Sequence, residues 1–152
     1  MLSKKIFLDL DDDEEPFNIR LIRLAKKVPH YEIFFEINQL NSFNFYRTDD
    51  LQVKKFSFTK FETYHPETKT CYQIIANKSI PKRKNTTNEL FAQAEEIKFL
   101  MPKHKDVEYI MYAKDSFPDF SLILWPENTI SQIEDFSVQP QQELYKLLQY
   151  YE

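Results

Sequence analysis

Between Lys4 and Leu10 apolar and polar residues alternate, with Ile6, Leu8 and Leu10 on one face, and this predicts a strand. The acidic run Asp11–Glu15 turns the chain, and Pro16 introduces a second strand over Phe17–Ala25, so the N-terminus reads as a hairpin. Pro29 stands where prolines open helices, and the helix it starts runs to about Asn41. Tyr31, Ile33, Phe34, Phe35, Ile37 and Leu40 cover well over half of its circumference, leaving Glu32, Glu36 and Gln39 a narrow polar stripe. A helix with so wide an apolar face is expected to be covered on two sides.

Phe56–Tyr64 and Thr70–Asn77 read as strands joined through the loop His65–Lys69. In the second, Tyr72, Ile74 and Ala76 face one way, and Cys71, Gln73 and Ile75 the other. Ser79–Asn88 is the most loop-like stretch, and the capping-box spacing of Thr86 and Glu89 predicts a short helix to about Glu96. Ile97–Met101 and Val107–Tyr112 read as a further hairpin around Pro102–Asp106. In it Val107, Tyr109 and Met111 share one face, with Ile110 and Tyr112 on the other. Phe117–Trp125 fits a strand by the alternation of Phe120, Leu122 and Leu124, or a short helix by its flanking prolines; Thr129–Val138 reads as extended. After Pro140, Leu144, Leu147, Leu148 and Tyr151 fall at helical spacing and predict a C-terminal helix. The expected fold class is α+β: a mostly antiparallel sheet with three or four helices packed mainly on one face, in one domain spanning 1–152.

Composition changes this picture at one point above all. The chain has no glycine, against a usual share of about 7%. Phosphate-cradling loops, dinucleotide fingerprints and nucleophile elbows all need backbone that glycine alone supplies cheaply, so a P-loop, a Rossmann fingerprint and a G-x-S-x-G elbow are excluded. Turns are expected to fall to the prolines and to Asn and Asp. A formal charge of −4 is ordinary and points to no polyanionic partner. The lone Cys71 allows no intrachain disulfide and fits a reducing compartment. The opening residues turn acidic before a signal-peptide core could form, and no apolar run is long enough to span a membrane. A cytoplasmic chain without membrane partners is the expectation.

From Met101 the chain reads Met-Pro-Lys-His-Lys-Asp-Val-Glu-Tyr. This resembles the signature of the IPExxxVDY family of small bacterial proteins. Pro102, Val107 and Tyr109 match, Met101 stands for Ile, Glu108 for Asp, and Lys103 replaces the Glu. The layout upstream, Ile37–Leu40, Phe45-Tyr46-Arg47 and Asp50-Leu51, is similar too, so the resemblance would span roughly Lys4–Val138. It implies no assigned activity. A lysine cannot do the acid–base or metal-binding work of a glutamate, so Lys103 favours a structural motif: a proline-led turn with Val107 and Tyr109 on a shared face.

Other residue groupings carry less chemistry. Asp9 with Asp11–Glu15 gathers carboxylates but lacks the glycine and spacing of a calcium loop. Cys71 and His65 lie at the ends of one strand region with no orienting third group, and His30 and His104 have no partner at zinc-ligand spacing. Lys82-Arg83-Lys84, with Lys78 and the lysines at 103–105, form a candidate basic edge, but no nucleic-acid-binding module accompanies them. No catalytic, cofactor or metal residues are assigned. The aromatic clusters exceed what inward faces need, and Tyr145 and Tyr150, beside the C-terminal leucine stripe, are candidate interface residues. The expected function is a non-catalytic interaction or scaffold module binding a protein partner or a second copy of itself. The alternative is an enzyme or small-ligand binder whose site assembles from distant residues.

Overall fold

Five buried residues in a row, Tyr109–Ala113, form strand β9. A run without polar alternation marks a strand covered on both faces, and β9 lies in the middle of the main sheet. The computed structural model describes residues 17–83, 95–113, 119–140 and 142–150. Among them the six-stranded sheet has the order β10-β1-β9-β6-β5-β2. It is built from β1 (Phe17–Leu24), β2 (Tyr46–Arg47), β5 (Lys60–His65), β6 (Thr70–Ala76), β9 and β10 (Ile130–Val138). Every neighbouring pair is antiparallel. Two short ribbons stand apart: β3 (Leu51–Val53) with β4 (Phe56–Phe58), and β7 (Lys82–Arg83) with β8 (Glu95–Glu96).

Strand periodicity divides the core into two layers. On one face Ile22, Tyr72, Ile74, Tyr109 and Met111 pack under helix α1 (His30–Leu40) through Ile33, Phe34 and Ile37. On the other, Ile19, Leu21, Ile75, Ile110 and Tyr112 pack under the β3–β4 ribbon and helix α2 (Glu143–Tyr150), through Phe58, Leu144 and Leu148. The described residues thus hold two α-helices and one 3-10 turn, Phe120–Leu122. This corrects the expectation of three or four helices mainly on one face: the two helices take opposite faces, because both faces of β6 and β9 are apolar. The expected strand Lys4–Leu10, its hairpin turn and most of the expected 86–96 helix lie outside the described residues, and Glu95–Glu96 are strand.

Three tyrosines at the sheet centre are buried to their hydroxyls, and each phenol finds a partner, as buried phenols must. Tyr72 donates to Asp119 O at 2.7 Å and Tyr109 meets His30 Nδ1 at 2.6 Å. Tyr112 donates to Gln73 Oε1, whose amide in turn donates to Glu62 Oε1 at 2.7 Å. Without glycine, two turns use lysine instead of the expected Asn or Asp: Lys54 and Lys69 take left-handed backbone at φ 58° and 57°. Such a residue is strained by about 1 kcal/mol or more.

The expected hairpin of 97–101 with 107–112 does not form. Both edges of β9 are taken, by β1 and β6, and Asn77 holds the intervening chain as a loop. Asn77 is fully buried. Its carboxamide nitrogen donates to His104 O at 2.9 Å and Val107 O at 3.0 Å, and its oxygen accepts from Met101 N at 2.8 Å. Its backbone N–H donates to Glu108 O and its carbonyl accepts from Leu100 N, both at 2.9 Å. Held this way, Val107 precedes the strand and packs beside Ile110 and Tyr112, not with Tyr109 and Met111 as the alternation predicted. Replacing Asn77 takes this partner from the buried Val107 O and Met101 N at once, while His104 O keeps Val107 N at 3.1 Å. Asn77→Ala is expected to lower stability by about 3 kcal/mol in urea unfolding; a loss below about 1 kcal/mol would show that the loop closes without the clamp.

Candidate functional site

Among the described residues nothing covers the outer side of α1. Ile33, Phe34 and Ile37 are buried, but Tyr31 is 79% exposed, Phe35 64% and Leu40 44%. The expected second layer over this helix is absent among the described residues. A groove of about 950 Å³ follows this open side, between α1 and the chain from Ile123 to Ile133. Leu124, 57% exposed, forms its far wall together with Trp125 and Pro126. An exposed leucine on an irregular segment would ordinarily be mobile. Here Asn41, just past the end of α1, exchanges two hydrogen bonds with the Leu124 backbone: Leu124 N donates to its Oδ1 at 2.9 Å, and its Nδ2 donates to Leu124 O at 3.0 Å. Thr129 Oγ1 donates to Glu36 Oε1 at 2.9 Å and fastens the other end of the segment to the helix. The groove is therefore preformed, with its apolar groups held in place before any ligand arrives.

One side of the groove is the start of β10, at Ile130–Ile133. That strand pairs with β1 along one edge, and no strand lies on its other edge among the described residues. Its second half carries Glu134 and Asp135, which pair with Arg23 at 2.8 Å and Arg20 at 2.9 Å. Charges guard edge strands against unwanted pairing, and the groove-side half has none. The charged residues in the lining are Glu36 and Glu127, with no lysine or arginine. The indole N–H of Trp125 is enclosed with no acceptor among the described residues.

The sequence-derived candidates scatter. Met101, Val107 and Tyr109 are buried, Pro102 and Lys103 exposed, and Glu108 half-buried. The proline-led turn is there, with His104 N bonded to Met101 O at 2.9 Å, but Val107 and Tyr109 point to opposite faces of the sheet. Tyr145 is 5% exposed and belongs to the core under α2, which removes it from any exposed patch; the side chain of Tyr150 lies outside the described residues. Cys71 stands across from Tyr64 and His65 across from Thr70, so thiol and imidazole lie on opposite faces and form no dyad. The acidic run 11–15 lies outside the described residues. Among those described, no cluster of His, Cys, Asp or Glu could hold a metal ion, and no helix is long and apolar enough to cross a membrane.

Of the basic stretch, Lys82 and Arg83 lie in strand β7, in register with Glu96 and Glu95 of β8, and Lys84 lies outside the described residues. The Glu96 carboxylate pairs with Lys55 at 2.6 Å. Lys78 and Lys105 instead meet Lys27 around a second hollow, of about 460 Å³, beside the start of α1. No family model, curated protein or solved structure matches this chain.

His30, in the first turn of α1, packs edge-on against Phe61 and holds the Tyr109 hydroxyl. Burial pulls its pKa below the ordinary value, opposed by the Glu108 carboxylate and reinforced by Arg47. Burial, with Glu108, raises Tyr109 well above an ordinary phenol, so the phenol stays neutral. A histidine whose folded pKa is depressed supports the fold while neutral. That support is present above its ordinary value of 6.5 and is lost as pH falls towards the folded value, because the unfolded chain takes the proton first. Between pH 7.5 and 5.5 the melting temperature should drop more for the native chain than for His30→Gln; equal drops would assign the acid sensitivity elsewhere.

Proposed function

We propose that this chain is a protein-interaction module whose groove between α1 and β10 captures an extended segment of a partner protein. The observation that carries this reading is Leu124: a largely exposed leucine fixed by two backbone bonds to Asn41, facing the equally uncovered Phe35. Natural surfaces scatter single apolar side chains, but a preformed row of them with an acidic lining is a docking feature. An extended partner suits the site because the edge of β10 that no described strand covers offers backbone donors and acceptors beside the apolar wall, the arrangement by which peptides add a strand to a sheet. Glu36 and Glu127, with no basic residue in the lining, favour a segment that alternates apolar residues with Lys or Arg. The resemblance to the IPExxxVDY family remains part of this proposal: with Asn77 bonded around them, the matching residues Pro102, Val107 and Tyr109 support a scaffold role for the motif.

Selection of binders from a library of random peptides tests the reading. Trp125 is the chain's one tryptophan and lines the groove, so its fluorescence reports occupancy directly. Selected peptides are expected to alternate apolar and basic residues, to shift Trp125 emission, and to lose affinity at least about tenfold against Phe35→Ser/Leu124→Ser. Binders that are indifferent to that variant, or a library that yields none, would overturn it. Dimerisation through Leu124, seen by light scattering and abolished in the same variant, would replace the foreign partner with a second copy of the chain.

A further inference from the structure

The second hollow has a different chemistry. Lys27, Lys78 and Lys105 line it over Val28, Phe99 and Val107. All three lysines are exposed, and none forms an ion pair with a described residue. Glu108 is the lone carboxylate in the lining, which leaves the hollow with a net local charge of +2 (three lysines less one glutamate) on a chain of net −4. Like charges gathered in a concave site on an oppositely charged protein call for a counter-charge, and low-dielectric walls focus their field.

The backbones that carry these groups are fixed. Asn77 bonds the chain at Glu108 and Val107 directly to the start of the Lys78 segment. Glu108 N donates to Ile22 O at 2.8 Å, and the Asp106 carboxylate accepts from Arg23 Nε at 2.5 Å. Lys78 is bridged to Phe99. The loop that the motif segment forms therefore holds Lys105 and Glu108 at a set distance from Lys78. Pro29, also in the lining, caps α1 with no side-chain hydrogen bond, so the positive end of that helix opens on the same side.

We propose that this hollow binds the phosphate group of a small phosphorylated molecule, with the three lysines on the phosphate oxygens and Glu108 accepting from a hydroxyl of the same ligand. The volume, about 460 Å³, is that of a small-molecule site. Nucleic acid fits less well. A running backbone would bring a second phosphate against Glu108, the carboxylate in the same lining.

The test is amide NMR on the full chain, titrated separately with inorganic phosphate, glycerol 3-phosphate and a short oligothymidine, against sodium chloride at matched ionic strength. Both phosphates should give saturable shifts at Val28, Lys78 and Lys105–Glu108, with dissociation constants of about a millimolar or below and the tighter one for glycerol 3-phosphate. Lys27→Gln/Lys78→Gln/Lys105→Gln should weaken them at least about tenfold, while Lys82→Gln should leave them unchanged. Shifts that sodium chloride reproduces, shifts that survive in the triple variant, or tighter binding of oligothymidine than of either phosphate would each overturn the proposal. Trp125 should stay silent throughout, which keeps this site separable from the groove.

Discussion

The side chain of Asn77 governs how the two halves of the sheet meet. A carboxamide has two donors and an acceptor with two lone pairs, and here both donors and the oxygen are spent on backbone that no strand could satisfy. The loop from Leu100 to Glu108 follows the β7–β8 ribbon and leads into β9, which pairs beside β6. Pro102, Lys103, Lys105 and Asp106 face solvent, but the backbone groups of the buried Met101 and Val107 need an internal partner. Asn77 supplies that partner at the point where β6 ends, so the register of β9 against both neighbours depends on it. The lysine hollow inherits the same rigidity, because the loop is one of its walls.

The two proposed binding sites are divided along α1. Its buried face closes one core layer, its N-terminal end opens on the cationic hollow, and its exposed C-terminal half forms a wall of the apolar groove. A short helix can serve both because the chain on each side of it is tied down by side-chain amides, Asn77 near one site and Asn41 at the other. Two asparagines thus do much of the positioning that tight glycine turns do in other folds. Their bonds are directional, and each is lost with a single substitution.

Local pattern was legible where one element decides it. The helix after Pro29, the strand Thr70–Asn77 with its alternating faces, the extended Thr129–Val138 and the C-terminal helix all stood within a residue or two of their observed bounds. What the sequence could not show was which side of each element meets another. The apolar circumference of α1 reads the same whether its outer half is covered or open, and Tyr145 reads as surplus until α2 is placed across β1 and β9. Val107 fell on the wrong face for a related reason: alternation presumes a strand, and with the chain bonded to a residue thirty positions away the strand starts only at Tyr109, two residues later. One signal for the groove was present, the excess width of the helix's apolar face; its meaning depended on Asn41 and Leu124, 83 positions apart.

The sheet's connectivity has a consequence for synthesis. Among the described residues β1 pairs with β9 and β10, whose partner residues lie between Tyr109 and Val138. A ribosome making on the order of ten residues per second would leave β1 without either neighbour for about ten seconds. During that time Ile19, Leu21 and Ile22 lack both neighbouring strands, while β5 and β6 can already close as a local hairpin. Pairing over such separations is slow as well as late. The arginines Arg20 and Arg23, interleaved with those apolar residues, later pair with Asp135 and Glu134. Until then they are the charges that keep the waiting strand from joining another copy of itself.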